Sequence, residues 1–200
     1  MTENELTTVL LKSDYENYFQ KGISYDTYKI NLSKDIKTNI DEEKVGIISL
    51  NQSRIKRVEK TFIPTNELIQ LLQNKNDKTY WLMISEHWCG DAAQNVPVFH
   101  KITELSQGKI ELKIVYRDEN LELIDNHLTN NTRSIPKLIQ FDQNFNITGI
   151  WGSRPKEAQD LLIKLKSDPL KVNTYMNELH LWYAQNKQKA LQGEIVDLLK

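Results

Sequence analysis

The chain has 200 residues, enough to bury a hydrophobic core in one domain with additions and without covalent cross-links. Its 26 lysines and arginines against 27 aspartates and glutamates leave a formal net charge of -1, so no overall basic field favours nucleic acid as a partner. The single cysteine, Cys89, excludes an internal disulfide.

The amino terminus, "MTENELTTVLLKSDYENYF", lacks the basic start and the long apolar run that are typical of a signal peptide. No stretch of the chain approaches the roughly 18 apolar residues that a membrane span requires. We therefore expect a cytoplasmic protein in a reducing environment, with no membrane partner.

Residues 13 to 73 have a helical pattern throughout. Aromatic and apolar residues recur there at steps of three and four: Tyr15, Tyr18, Phe19, Tyr25, Tyr28 and Leu32. This stripe could line a ligand pocket, but packing against the rest of the protein is the favoured interpretation.

The basic cluster Arg54, Lys56, Arg57 and Lys60, broken by Ile55 and Val58, indicates a solvated helix face. "PTNELIQLLQN" predicts a helix capped by Thr65 or Asn66.

From Lys78 the pattern changes to alternating strands and helices. "TYWLMIS" and "KIELKIVYR" predict strands, with a helix between them carrying Ala92, Val96 and Phe99. "ENLELIDNHL" predicts a short helix, "PKLIQFD" and "NITGIWG" predict a hairpin turning around Asp142 to Asn146, and "RPKEAQDLLIKLK" predicts another helix. This order predicts a parallel strand pair with an antiparallel hairpin added to it, which is an α/β fold.

The carboxyl-terminal residues after Pro169 have an amphipathic helical pattern that runs to the end of the chain. Its apolar positions are Val172, Tyr175, Met176, Leu179, Trp182, Tyr183, Ile195 and Leu198. Gly193 disfavours one unbroken helix over this length.

Three motifs in this order resemble the thioredoxin family. "HWCGDA" lies between the first predicted strand and its helix, Pro97 lies further along that helix, and "SIPKLIQF" places Ile135 and Pro136 before the third strand. The resemblance covers about Lys78 to Ser167 and implies a four-stranded mixed sheet sandwiched by helices, with a cis Pro136 close to Cys89. It divides the chain into a helical extension (1–77), a thioredoxin-like core (78–167) and a second extension (168–200). "WCGDAAQ" and "WGSRPKEAQ" are similar to a bacterial group of longer thioredoxin family proteins.

Two departures from the thioredoxin pattern concern its chemistry. Ala92 stands where thioredoxin has its second cysteine, and Met83 stands where it has the buried aspartate that serves that cysteine. An engineered trapping mutant would also pair Cys89 with Ala92, but the missing acid favours a natural monothiol form. The resemblance then implies a mixed disulfide at Cys89 that an external thiol must resolve.

The residues around Cys89 suggest how it would work. A cysteine at a helix start faces free N–H groups and the positive end of the helix dipole, so we expect a pKa below the roughly 8.5 of a free cysteine. Asp91 opposes this effect by repulsion, and His87 could add positive charge or simply lie exposed in the loop. A packed, unreactive Cys89 is the alternative.

The resemblance also implies how a partner would be held. Ile135 and Pro136 would pair with the partner chain as an added strand, Trp88 would flank the groove, and Gly90 and Asp91 would complete the site. Arg154 could bind a carboxylate of a peptide or small thiol, or instead form a structural pair with a nearby acid.

Two functions remain open at this level. One is a monothiol oxidoreductase acting on protein or low-molecular-weight thiols and disulfides, and the other is a redox-inactive binding protein that keeps only the fold. An iron–sulfur carrier is less favoured because one cysteine needs external ligands. The histidines have no zinc-ligand spacing, so we expect no metal and no other cofactor, while the oligomeric state stays open.

Overall fold

The computed structural model describes residues 9–200. The expected absence of a signal peptide falls in part on residues 1–8, which lie outside the described residues. The helices are α1 (Lys12–Lys21), α2 (Tyr25–Thr38), α3 (Glu42–Thr61), α4 (Asn66–Asn74), α5 (Gly90–Leu105), α6 (Leu121–Asp125), α7 (Lys156–Ser167), α8 (Tyr175–Asn186) and α9 (Lys189–Leu199). The strands are β1 (Thr79–Ser85), β2 (Ile110–Tyr116), β3 (Lys137–Phe141) and β4 (Ile147–Gly152).

The amino-terminal region is helical, as its pattern predicts, and forms four helices with clear breaks. Side chains that accept the free N–H groups of a first turn mark three of the starts: Ser24 for α2, Asp41 for α3 and Thr65 for α4. Thr65 is thus the cap of α4, one of the two residues the sequence offered. Between α1 and α2 the chain extends, and Ile23 exchanges backbone hydrogen bonds with Ile114 of β2.

The four strands form one mixed sheet in the order β2-β1-β3-β4. β1 pairs with β2 in parallel, and the β3–β4 hairpin adds to the other edge of β1 in antiparallel orientation. This confirms the predicted parallel pair and hairpin, and with the flanking helices it confirms the α/β, thioredoxin-like fold. β1 is the buried centre of the sheet, since Trp81, Leu82 and Met83 have no exposed surface.

The aromatic stripe of α1 and α2 packs against this core, as predicted. Tyr15, Phe19, Tyr25 and Tyr28 are buried in the same hydrophobic cluster as the sheet residues.

The basic cluster on α3 departs from its prediction as a solvated face, because two of its four members turn toward α5. Arg57 donates a hydrogen bond of 2.6 Å to the Gln94 side chain, and the Arg54 guanidinium lies beside Gly90.

The carboxyl-terminal pattern is divided into α8 and α9. The break comes at Lys187 and Gln188, which have positive φ angles of 50° and 63°, whereas Gly193 lies inside α9. α9 packs on α4 and β4. α8 packs on α7 through a small apolar cluster of its own that includes Leu162, Leu179 and Tyr183. Among residues 9–200, none of the helices combines the length and the apolar character that crossing a membrane demands.

Candidate functional site

Cys89 caps the amino end of α5 and follows the short turn after β1. Its Sγ accepts a long hydrogen bond of 3.4 Å from the Ala92 N–H and donates one of 3.3 Å to the Ile135 carbonyl. The Ile135–Pro136 peptide bond is cis, as the resemblance implied. The fold therefore brings Cys89 and the loop before β3 into direct contact. Only the protonated thiol can donate to this carbonyl, since a thiolate has no proton to give.

A groove with a volume of about 540 Å³ opens beside the thiol. Its walls come from the β1–α5 junction, the segment after β2, the loop before β3, and helices α7 and α8. The lining residues are Trp88, Cys89, Gly90, Asp91, Arg117, Thr132, Arg133, Ser134, Ile135, Arg154, Leu162, Lys166, Tyr175, Met176 and Leu179. Of the seven predicted site residues, all except Pro136 line this groove.

The environment of Cys89 overturns the prediction of a depressed pKa. The residue is only 8% exposed, and its burial, together with the nearby negative charge of Asp91, raises the pKa of Cys89 to about 12. The hydrogen bonds from the backbone N–H groups of Ala92 and Asp91 and the charge of Arg154 act in the opposite direction but are weaker. Burial disfavours a charged group more strongly than the helix start favours it here.

Asp91 and Arg154 form a buried ion pair beside Cys89. The Nη2 and Nε atoms of Arg154 donate to one oxygen of Asp91 at 2.5 and 3.1 Å, and the hydroxyl of Tyr183 donates to the other at 2.7 Å. The Nη1 atom of Arg154 donates to Gln159 at 2.6 Å, and Asn95 donates to the Tyr183 hydroxyl at 3.1 Å. Of the two interpretations of Arg154, the structural pair with a nearby acid is thus present.

Gly90 provides the space into which a histidine of α8 packs. A Cβ atom at Gly90 would lie 2.9 Å from both Cε1 and Nε2 of His180, closer than such contacts allow. The Gln94 amide donates to Nδ1 of His180 at 3.1 Å, so the ring proton lies on Nε2. Nε2 is buried and has no hydrogen-bond partner among residues 9–200. Burial, and then the positive charge of Arg54, lower the pKa of His180 to about 4.

His87 does not serve Cys89, which corrects both interpretations of it. The residue is only 4% exposed and is not among the residues that line the groove. Nδ1 lies 2.6 Å from an oxygen of Asp35, and Nε2 lies 3.1 Å from the Tyr28 carbonyl and 3.2 Å from the Tyr116 hydroxyl. It joins β1 to the amino-terminal helices.

The sequence analysis did not identify several residues in and around the groove. Arg117 stacks on Trp88, with its guanidinium carbon 4.7 Å from the ring centroid. A signal for Arg117 existed, because it follows β2, and parallel neighbours such as β1 and β2 end at the same edge of a sheet. No comparable local signal pointed to Lys166, His180 or Tyr183, which the helices after β4 bring to the site.

Metal ligands do not cluster in the part of the chain that the structure describes. No group of three or more histidine, cysteine, aspartate or glutamate side chains within residues 9–200 is placed to hold a metal ion.

The chain is similar to known proteins in sequence and in fold. A family model described as thioredoxin (Thioredoxin_9) matches residues 38–167. A crystal structure of a protein of unknown function from Pseudomonas aeruginosa is similar, with a TM-score of 0.62 and 19% identity over 92% of this chain and 96% of that one. An HIV epitope scaffold is similar too, with a TM-score of 0.63 and 18% identity over the same shares. At these identities the two structures show a shared fold alone. None of the curated proteins matches this chain.

Proposed function

Because the chain belongs to the thioredoxin family, we propose that it is a monothiol thiol–disulfide oxidoreductase that acts through Cys89. The observation that carries this proposal is the contact between the Cys89 sulfur and the Ile135 carbonyl, 3.3 Å apart at the edge of an open groove. A disulfide held against that loop would lie beside the sulfur. We also propose a cytoplasmic setting, where low-molecular-weight thiols are available.

The reaction has two exchange steps. The thiolate of Cys89 attacks one sulfur of a disulfide, so a new S–S bond forms, the old S–S bond breaks, and the other half leaves as a thiolate. Thioredoxins clear such an adduct with a second cysteine, but Ala92 has no thiol. A second external thiolate therefore attacks the adduct, forms a new small disulfide and releases Cys89, which takes up a proton.

The raised pKa makes this chemistry slow in the absence of a bound partner. Relative to a free cysteine of pKa roughly 8.5, a pKa of about 12 reduces the thiolate fraction at pH 7 roughly 3000-fold. Nucleophilicity rises with basicity and recovers roughly 40-fold of this loss, so the net deficit is on the order of a hundredfold. Holding the disulfide in the groove has to offset this deficit, since effective concentrations of bound groups greatly exceed those in solution.

The groove has two features that could hold a disulfide-bearing partner beside Cys89. The backbone around Ile135 would pair with an extended partner, and Trp88, fixed by Arg117, would pack against it. The guanidinium of Arg154 also lines the groove, where it stays paired with Asp91.

The test is mixed-disulfide formation on the folded protein. Incubation with a small disulfide should add one half-disulfide per chain, measured by intact mass, and an added low-molecular-weight thiol should remove it. The Cys89→Ser protein is the control and should gain no mass. Failure of the folded wild-type protein to form the adduct, with adduct formation only after denaturation, would refute the oxidoreductase proposal.

A second candidate, a redox-inactive binding protein with a thioredoxin fold, is favoured by the burial and raised pKa of Cys89. In that case the groove binds a partner and Cys89 is a packed residue. Binding of the partner would then be the same for the wild-type and Cys89→Ser proteins.

A further inference from the structure

We infer that the groove beside Cys89 selects small thiols and disulfides that carry carboxylates, an inference that rests on the proposed function and specifies its substrate class. The argument begins from charge. Four cationic side chains line the groove, from different parts of the fold: Arg117, Arg133, Arg154 and Lys166. Within residues 9–200, the one anionic side chain that lines it is Asp91. The chain as a whole has a formal net charge of -1, so this concentration of positive charge is local.

The carboxylate of Asp91 is neutralised by its neighbours. One oxygen of Asp91 accepts both hydrogen bonds from Arg154, and the other accepts the hydroxyl of Tyr183. An entering anion therefore meets an ion pair at this position rather than an isolated negative charge. The ion pair reduces the repulsion that Asp91 would otherwise exert.

The remaining cations differ in how far they are already paired. Arg117 binds Asp118, and Arg133 binds Asp125, both at exposed positions where solvent and competing anions weaken such pairs. Lys166 lies 4.9 Å from the ring centroid of Tyr175, and no carboxylate among the described residues forms an ion pair with it. Lys166 is therefore the cation best able to meet an incoming carboxylate.

The shape of the groove favours a small partner. Its volume of about 540 Å³ lies within the usual range for small-molecule pockets, roughly 300–1,000 Å³. One wall is apolar and comes from α7 and α8, with Leu162, Met176 and Leu179. A compact molecule with an apolar stem and carboxylate ends fits both features.

The experiment compares three aliphatic disulfides that differ mainly in charge: 3,3′-dithiodipropionate (two negative charges), bis(2-hydroxyethyl) disulfide (neutral) and cystamine (two positive charges). Each rate of adduct formation on the folded protein is divided by the rate of the same disulfide with 2-mercaptoethanol, which removes intrinsic differences in reactivity. We expect the dianion to react at least about tenfold faster than the dication at low ionic strength, and this ratio to shrink in high salt.

Two variants of α7 test whether the preference for the dianion depends on Lys166 in the groove or only on the total charge of the helix. Lys166→Gln should lower the ratio of the dianion rate to the neutral rate by about threefold or more. Lys164→Gln removes the same charge from α7 at an exposed position that does not line the groove, and should leave this ratio unchanged.

The outcomes separate this inference from the proposed function. Equal normalised rates for all three disulfides would overturn the charge selection while leaving the oxidoreductase in place. If the folded protein forms no adduct at all, the oxidoreductase fails, and binding of the unreactive thioether 3,3′-thiodipropionate decides the inference. Binding that weakens in Lys166→Gln would support an anion-binding groove, and no binding would overturn it.

Discussion

The carboxylate of Asp91 lies against the guanidinium of Arg154, with Nη2 2.5 Å from one carboxylate oxygen, and both residues act on the neighbouring thiol of Cys89. Their effects on that thiol have opposite signs. The negative charge of Asp91 raises the pKa of Cys89, whereas the positive charge of Arg154 lowers it. The pair thus partly cancels at the sulfur, and burial decides the direction of the shift.

Asp91→Asn should therefore lower the pKa of Cys89. The amide keeps an oxygen for Arg154 but removes the negative charge, so the guanidinium is left to stabilise the thiolate. The measurement is the rate of alkylation of Cys89 as a function of pH, and the whole profile should move to lower pH. Asp197→Asn removes a charge from an exposed residue of α9 outside the groove and is the control. A profile that stays in place or moves upward in Asp91→Asn would contradict the role given to this carboxylate.

Ala92→Cys should restore the step that this chain lacks. Ala92 is buried in the first turn of α5 and its N–H bonds to the Cys89 sulfur, so a thiol there would be close enough to displace an adduct. We expect the variant to form an internal disulfide on oxidation, seen as the loss of both free thiols, and to reduce small disulfides with faster turnover than wild type. The variant with both Cys89→Ser and Ala92→Cys is the control. An Ala92→Cys protein that retains two free thiols after oxidation would show that the two positions cannot bridge.

Gly90→Ala should displace α8 from the groove. The added Cβ would lie 2.9 Å from the ring of His180, so either the ring or the helix must move. We expect a loss of about 1–3 kcal/mol in the free energy of unfolding, as in other overpacked sites, with changed NMR shifts along α8.

Gly193→Ala is the matched control for this change. Gly193 lies inside α9 and has nothing within 4 Å of its Cβ position, so alanine there should stabilise the protein by about 0.5–1 kcal/mol. Equal effects of the two alanines on stability would contradict the contact with His180.

Lowering the pH should weaken the packing of α8, which carries His180. The folded-state pKa of His180 is lowered to about 4 from the usual value near 6.5, so the folded protein favours the neutral ring. Its contribution to stability is therefore present above pH 6.5 and is lost as the pH falls from 6.5 toward 4. Because Arg54 and Arg57 of α3 lie near the ring, the charged form is further disfavoured.

The measurement is urea unfolding at pH 7 and pH 5. The wild-type protein should lose about 1 kcal/mol more than His180→Gln between these two values. His127, buried against Tyr15, titrates in the same direction in both proteins and cancels in this comparison. Identical losses in the two proteins would show that His180 does not titrate as described.

The fold could be predicted from local patterns because these patterns reflect burial. The apolar run of β1 predicts a central strand, and alternating strands and helices predict its parallel neighbour. The capping residues Ser24, Asp41 and Thr65 mark the breaks among the first four helices, and only the last of these breaks was predicted from the sequence.

The pKa of Cys89 and the packing around it could not be predicted from local patterns. The local sequence shows that Cys89 begins a helix, which favours a thiolate. Its burial depends on Ile135 and on α7 and α8, which are distant in sequence, and burial reverses the direction of the pKa shift. The packing of His180 against Gly90 is a contact of the same kind, since periodicity gives the apolar face of a helix but not the residue that it meets.

The pH dependence of adduct formation on folded wild-type protein tests the central claim most directly, namely that Cys89 is a reactive thiol whose pKa is raised by burial. The protein is exposed to bis(2-hydroxyethyl) disulfide from pH 7 upward, and the initial rate of mass gain is followed, with circular dichroism to confirm the fold at each pH. We expect the rate to rise about tenfold per pH unit, with no plateau up to pH 10, because the pKa is about 12. A plateau below pH 8.5, or no adduct while the protein stays folded, would contradict the claim.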